Sequence, residues 1–93
     1  MFYVYVLFSE KDEQLYTGFT DDLRSRFSAH VNGYVKSTQS RRPLRLIYYE
    51  SYLLESDAKR REKYLKGGNG KYQLKDQLAD VFEKLKYKNR FSK

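Results

Sequence analysis

The 93-residue sequence lacks cysteine, and it contains one proline and one histidine. Without cysteine the chain has no disulfide framework, no thiolate nucleophile and no cysteine-ligated zinc site, so its stability depends on packing. The longest apolar run, from Met1 to Phe8, is far shorter than the roughly 20 residues of a membrane helix, and no basic stretch precedes it as in a signal peptide. These absences predict a cytoplasmic protein that has no membrane partner.

Aromatic side chains and positive charge are, by contrast, abundant. Aromatic residues make up 17% of the chain, enough for a compact core, and 19 Lys and Arg outweigh 12 Asp and Glu for a net charge of +7. The cations form three runs, over 36–45, 59–66 and 84–93, with aromatics between them. Nucleic acid is therefore favoured as a partner over an anionic membrane surface or an acidic protein.

We predict one domain over residues 1–86 and a flexible basic tail over 87–93.

The apolar pattern predicts three strands. The run from Phe2 to Phe8 is apolar at every position, which is typical of a central strand covered on both faces. A polar turn separates it from a second strand over Leu15 to Thr20, interrupted by Gly18, so a hairpin is the simplest connection. A third strand is predicted over Leu44 to Tyr52.

The first predicted helix begins near Leu23, behind a capping residue among positions 20–22, and ends near Gly33. Its buried stripe is spaced at helical intervals and consists of Leu23, Phe27 and Val31. On the same helical wheel Arg26 and His30 fall on the core side, where a solvated cation is not expected.

A second helix is predicted to begin at 56–57 and to end at the glycine-rich segment 67–70, and a third runs over 72–85. Glu62 faces inward on the second helix, whereas the third is interpreted as a packing helix without chemistry. The order β-β-α-β-α-α predicts an α+β fold in which a small three-stranded antiparallel sheet is flanked by helices.

Two tyrosines join the inward-facing polar residues. Ten residues separate Tyr5 from Tyr16, a length at which a hairpin brings both to one end of the sheet. An arginine, a histidine, a glutamate and two tyrosines on one sheet face are typical of a catalytic site. The alternative is structural: Glu62 pairs with Arg26 in a buried salt bridge, and His30 is a satisfied core histidine.

The order and spacing of these residues resemble the GIY-YIG nuclease superfamily. The resemblance is carried by Tyr3-Val4-Tyr5, Tyr16-Thr17-Gly18 and Leu23 to His30, and it continues through Thr38, Arg41 to Leu44, Leu46 to Glu50 and Ala58 to Lys66. The chain is most similar to the short stand-alone bacterial members of UPF0213 type, which are similar to the nuclease half of the UvrC repair protein. It departs from the pattern at Tyr3, where the family's first triplet begins with glycine.

The resemblance implies a metal-dependent endonuclease that hydrolyses phosphodiester bonds in DNA, with structure-dependent or weakly sequence-specific cleavage, in repair or recombination. The implied catalytic residues are Tyr5, Tyr16, Arg26, His30 and Glu62. Glu62 would hold the metal, Mg²⁺ or Mn²⁺, and Arg26 offers a planar fork for the scissile phosphate. Tyr5 is the first choice as general base, with Tyr16 binding water and phosphate; the reverse assignment stays open. His30 would donate to the phosphate or position the base.

Other residues are expected to hold the substrate strand. They are Gly18, Lys36, Thr38, Arg41, Arg42 and Arg60. Gly18 would let the substrate backbone come close, Thr38 would add a hydroxyl donor, and the cations would contact phosphates.

Two other functions stay open on the sequence. The chain could be a catalytically inactive nucleic-acid-binding module, or an accessory subunit that binds an acidic protein. Its small size predicts a monomer that depends on a partner protein for specificity and for rapid cleavage.

Overall fold

The computed structural model describes the backbone of residues 1–92 and the side chains of residues 1–85. Strands and helices follow one another in the order β1 (Phe2–Ser9), β2 (Leu15–Thr20), α1 (Leu23–Val31), β3 (Leu44–Tyr52), α2 (Glu55–Lys66), α3 (Gly68–Gln77) and α4 (Ala79–Ser92), with a 3₁₀ turn at Gln39–Arg41. The α+β fold predicted from the sequence is therefore confirmed. Residues Met1–Lys63 form one compact unit, and a second begins at Tyr64.

Strand β1 is the centre of the sheet. The strand order is β2-β1-β3, and both pairings are antiparallel. Its residues from Val4 to Phe8 are all buried, which agrees with an apolar run that has no polar alternation. The register places Tyr5 opposite Gly18 on β2 and opposite Tyr49 on β3, with an irregularity between Val6 and Leu7.

Helix α1 packs on one face of this sheet. Asp22 caps the helix by accepting a hydrogen bond from the Ser25 backbone N–H, as predicted for position 20–22. Leu23 and Phe27 pack against the cluster of Tyr5, Leu7 and Leu44. The third member of the predicted stripe was wrong: Val31 is 47% exposed, because the last turn of α1 directs His30 toward β1 instead.

Charged contacts join α2 to the sheet. Arg61 donates to both carboxylate oxygens of Glu50, which also accept the hydroxyls of Tyr48 and Tyr52 at 2.5 Å each. Burial alone would raise the pKa of Glu50, but these donors hold it below its ordinary value. Since Glu62 follows Arg61 in the chain, the helix that carries Glu62 is fixed to β3.

The glycine-rich segment ends α2 as predicted, but the next helix begins within this segment. Helix α2 ends at Lys66, but α3 already begins at Gly68, and it stops at Leu78, whose φ of −108° and ψ of 32° leave the helical region. A side chain at Gly70 would come within 2.6 Å of the Leu65 backbone, so this glycine permits close packing of consecutive helices. The helix predicted over 72–85 is therefore two helices.

Helix α4 continues to Ser92, so its backbone covers most of the segment 87–93 that the sequence assigns to a tail. Lys93, the last residue of that prediction, lies outside the described residues. Within the part of the chain that the structure describes, no helix is both long and apolar enough to span a bilayer.

Candidate active site

The β1–β2 hairpin brings Tyr5 and Tyr16 to one face of the sheet. Tyr16 lies opposite Leu7, two positions along β1 from Tyr5, and the two tyrosine rings are 6.4 Å apart. Successive side chains alternate between faces of a strand, so both point the same way. Gly18 lies opposite Tyr5, and the Tyr5 ring occupies the space where a side chain at position 18 would stand. The structure thus gives Gly18 a packing role, and its predicted close approach to substrate stays a prediction.

Replacing Gly18 by alanine is expected to lower the free energy of unfolding by about 1–3 kcal/mol, because the new methyl group overlaps the buried Tyr5 ring. Gly68→Ala is the matched control, since no atom lies within 4 Å of the added carbon there. That control should be neutral or stabilising, because alanine is the better helix former. Denaturant titration of both variants checks this, and equal stabilities would contradict the packing role.

His30 is fully buried and links Tyr5 to the loop after α1. The Tyr5 hydroxyl is 2.8 Å from Nε2 of His30, and Nδ1 is 2.7 Å from the Thr38 hydroxyl oxygen. The Thr38 hydroxyl also lies 3.5 Å from the carbonyl oxygen of Val35, and a proton donated there leaves Thr38 to accept from an Nδ1–H. Nε2 is then unprotonated and accepts the hydrogen bond of Tyr5.

This environment keeps the imidazole neutral. Burial, and then the positive charge of Arg26, lower the pKa of His30 to about 4 from its ordinary 6.5. The chain Tyr5–His30–Thr38 is therefore a set of neutral groups in which each proton has an acceptor.

The shift of His30 predicts a loss of stability in mild acid. Between pH 6.5 and about 4, His30 is protonated in the unfolded chain but stays neutral in the folded protein. The free energy of unfolding therefore falls as pH falls. The full loss is on the order of 3 kcal/mol. Urea titrations across this range test it in the parent protein and in His30→Gln. Since the chain has one histidine, the variant should lose the His30 part of the slope and keep the part due to carboxylates such as Glu50; the same slope in both would contradict the assignment.

Arg26 and Glu62 add opposite charges to the tyrosine pair. The Arg26 side chain is exposed, but its guanidinium interacts with the hydroxyls of Tyr5 and Tyr16, which raises the pKa of Arg26. Burial is the largest cause of the raised pKa of Tyr5; Arg26 opposes it and Glu62 adds to it. Beside Arg26 lies a cavity of about 340 Å³, bordered also by Phe2 and Phe19. The structure therefore brings together the five residues predicted to be catalytic, with Arg26 nearest to solvent.

A model of the GIY-YIG catalytic domain matches residues 1–76, which include all five of these residues. The chain belongs to the GIY-YIG family. It is 46% identical to a UPF0213 protein of Clostridium perfringens over 67 residues, 71% of each chain. A UPF0213 protein of Pediococcus acidilactici is 42% identical over 77 residues, covering 80% of this chain and 78% of the relative.

A solved structure supports the same relationship. The solution NMR structure of a UPF0213 protein from Bacillus halodurans matches with a TM-score of 0.52 and 34% identity, covering 83% of this chain and 85% of that one. The GIY-YIG fold and the UPF0213 type predicted from the sequence are thus confirmed, and the domain is of a nuclease family.

Several residues expected to hold substrate in this GIY-YIG domain form hydrogen bonds or ion pairs with other residues of the protein. The hydroxyl of Thr38 is fully buried on His30, and the guanidinium of Arg41 pairs with Asp12 at 2.7 Å. Arg60 pairs with Asp57, although its side chain is 73% exposed. Lys36 and Arg42 are exposed, as a phosphate contact requires. His30 is fully buried, which favours the predicted role of positioning the base over donation to a phosphate.

The carboxylates limit the kind of metal site that the domain can form. No group of three or more His, Cys, Asp or Glu side chains within residues 1–85 is arranged to hold a metal ion. Glu62 contributes one carboxylate whose charge reaches Tyr5. One carboxylate fits Mg²⁺, which keeps most of its water and takes further oxygen ligands from a substrate phosphate. It does not fit structural zinc, which needs four protein ligands.

Sequence reasoning missed the partner of His30 and the anchor of α2. Thr38 lies in a loop without periodicity, so nothing in the pattern assigns its hydroxyl to a residue eight positions earlier. Glu50 and Arg61 are opposite charges in separate elements, and the sequence carries no signal that pairs them.

Proposed function

We propose that this GIY-YIG protein is a divalent-metal-dependent endonuclease that hydrolyses phosphodiester bonds in DNA. The observation that carries the proposal is the hydrogen-bonded chain from the Tyr5 hydroxyl through His30 to Thr38, beside the exposed guanidinium of Arg26. A domain that only binds nucleic acid needs cations, whereas it has no use for a buried proton path.

The proton path supplies a base for the attacking water. As water loses a proton to the Tyr5 hydroxyl oxygen, the proton of Tyr5 passes to Nε2 of His30, 2.8 Å away. The oxygen of the resulting hydroxide forms a bond to phosphorus, and the bond from phosphorus to the 3′ oxygen breaks. The leaving oxygen takes a proton from solvent, so the products are a 5′-phosphate and a 3′-hydroxyl end.

The pKa values of Tyr5 and His30 oppose the formation of a Tyr5 phenolate in the absence of substrate. Burial raises the pKa of Tyr5 above 10.0, and the pKa of His30 is about 4. Both shifts oppose proton transfer from Tyr5 to His30 before substrate binds. The negative charge of a bound phosphate would favour the imidazolium, so we expect the proton to reach His30 only as water attacks phosphorus.

Arg26 and Tyr16 act on the phosphate. The Arg26 guanidinium is charged and partly desolvated by the tyrosines, so its N–H groups can donate to the phosphate oxygens that gain charge in the transition state. Tyr16 is half-buried, whereas Tyr5 is 1% exposed, so Tyr16 is the hydroxyl better placed to touch the phosphate. Glu62 would hold Mg²⁺ or Mn²⁺, which supplies charge stabilisation to the phosphate when bound.

The substrate is proposed to be recognised by its structure or charge more than by its base sequence. The chain carries no zinc-finger or recognition-helix motif with which to read base edges, and its cations predict contacts to phosphates. A role in DNA repair or recombination, with a partner protein that supplies specificity, follows from this dependence on structure.

Cleavage across a panel of DNA structures tests the function. End-labelled single-stranded, nicked and branched DNA are incubated with the protein and Mg²⁺, and with Glu62→Ala and Arg26→Ala. We expect products with 5′-phosphate ends from the parent protein on at least one substrate. Binding without Mg²⁺-dependent cleavage would identify a catalytically inactive module, and equal background from all three proteins would contradict the proposal.

A further inference from the structure

A second basic cavity lies apart from the catalytic residues. It has a volume of about 480 Å³ and lies between the β1–β2 turn and the loop before β3, where Lys11 and Arg42 both line it. All the residues that line it belong to the described part of the chain, and none of them is acidic. The volume is within the range of ordinary ligand sites.

The two cations are held by backbone groups and keep their charge. Lys11 Nζ donates to the carbonyl of Ser40 at 3.0 Å, and Arg42 Nε donates to the carbonyl of Gln39 at 3.1 Å. A neutral carbonyl orients a cation without cancelling its charge. Arg41 differs, because its guanidinium pairs with the Asp12 carboxylate.

Hydrogen bonds and an ion pair join the β1–β2 turn to the loop before β3, the two segments that form the walls of the cavity. The Ser9 hydroxyl donates to the carbonyl of Arg41 at 2.6 Å, and the Glu10 N–H donates to the carbonyl of Pro43 at 2.9 Å. The ion pair of Arg41 with Asp12 adds a third link. The cavity is therefore formed before any ligand arrives, which lowers the entropy cost of binding.

The position of the cavity separates it from the scissile phosphate. Leu44 lines it and lies opposite Ser9 on β1, four residues from Tyr5, or roughly 13 Å along the strand. Leu44 and Tyr5 belong to one cluster, so the cavity opens on the face of the sheet that carries the catalytic residues. A strand bound at Tyr5 can reach the cavity only with a different phosphate.

We propose that Lys11 and Arg42 form a subsite for a backbone phosphate of the substrate strand, away from the bond that is cut. The inference rests on the proposed function, because it takes the bound polyanion to be nucleic acid. It also changes the set of phosphate-binding residues, since Lys11 joins Arg42 and Arg41 becomes a structural residue.

The salt dependence of DNA binding tests the subsite. The affinity for a short fluorescent DNA duplex is measured by anisotropy over a range of salt concentrations, without divalent metal. Each phosphate contact removed lowers the slope of log K against log salt by about 0.9. We expect Lys11→Gln/Arg42→Gln to lower it by roughly 1.8. The control Lys71→Gln/Lys75→Gln removes the same charge from exposed positions of α3 and should leave the slope unchanged.

Two other outcomes would overturn the subsite. Equal slopes in the two double variants, with thermal unfolding showing both folded, would overturn the subsite but leave the endonuclease proposal intact. Failure of the parent protein to bind DNA at any salt concentration would overturn both.

Discussion

Glu62→Gln is expected to abolish detectable cleavage, with a fall of at least about 10³-fold in the single-turnover rate. The amide keeps the size of the side chain but loses the negative charge that a hard divalent cation requires. The same charge acts on Tyr5, so its loss also removes one of the causes that raise the pKa of that hydroxyl. The measurement is product formation at saturating protein, over a range of Mg²⁺ and Mn²⁺ concentrations.

Glu83→Gln is the matched control for this substitution. Glu83 is an exposed carboxylate on α4 and is not one of the five predicted catalytic residues. Its variant should cleave at the parent rate. A Glu62→Gln protein that is folded and equally active would remove the carboxylate from the reaction.

Tyr5→Phe should lower the rate by about 10²–10⁴-fold, the range of a lost general acid–base group. The ring still fills the space over Gly18, so the core packing is retained. Nε2 of His30 loses its hydrogen-bond donor, which lowers the free energy of unfolding by about 1–3 kcal/mol.

Tyr16→Phe separates the two tyrosines. If Tyr16 binds the phosphate, its variant should lose less rate than Tyr5→Phe, because Arg26 continues to stabilise the phosphate charge. The dependence of the cleavage rate on pH adds a second measurement, which a purely structural role of His30 would not affect. With the pKa of His30 near 4, the parent protein should keep its activity at pH values where an ordinary histidine is protonated. A larger loss in Tyr16→Phe would reverse the assignment of the base.

The sheet could be predicted from the sequence because its signal is local. An apolar residue at every position from Phe2 to Phe8 identifies the central strand, and ten residues between Tyr5 and Tyr16 permit a hairpin. The end of α2 at the glycine-rich segment was predicted correctly, but the start of α3 was misplaced, because a glycine that permits close packing looks the same in sequence as one that ends a helix. Gly70 lies inside α3, against the backbone of Leu65.

The residues of the candidate site could be predicted from the sequence, but the hydrogen bonds that join them to their neighbours could not. The helical wheel places Arg26 and His30 on the sheet side of α1, and both meet Tyr5 in the structure. The wheel assumes one stripe along the whole helix, so it placed Val31 in the core although the helix ends there. The contact between Thr38 and His30 joins a loop to the last turn of α1, and no periodicity in the loop indicates which residue becomes the partner.

The same limit applies to the cations. Charge counts treat Arg41, Arg42 and Arg60 alike, but Arg60 pairs with Asp57 one turn earlier on α2, and Arg41 pairs with Asp12, which only the tertiary structure brings near. Lys11 lies in the polar turn after β1, and the fold places it on the same cavity as Arg42. Which cations remain available to a polyanion is therefore decided by their neighbours.

The most direct test of the central claim is the single-turnover cleavage of end-labelled DNA by the parent protein and by Arg26→Ala. Arg26 is exposed, so its removal should leave the fold intact and lower the rate by about 10²–10³-fold while DNA binding is largely kept. Mg²⁺-dependent product with 5′-phosphate ends from the parent protein, and this loss in the variant, are the predicted result. Equal rates in the two proteins would contradict the account.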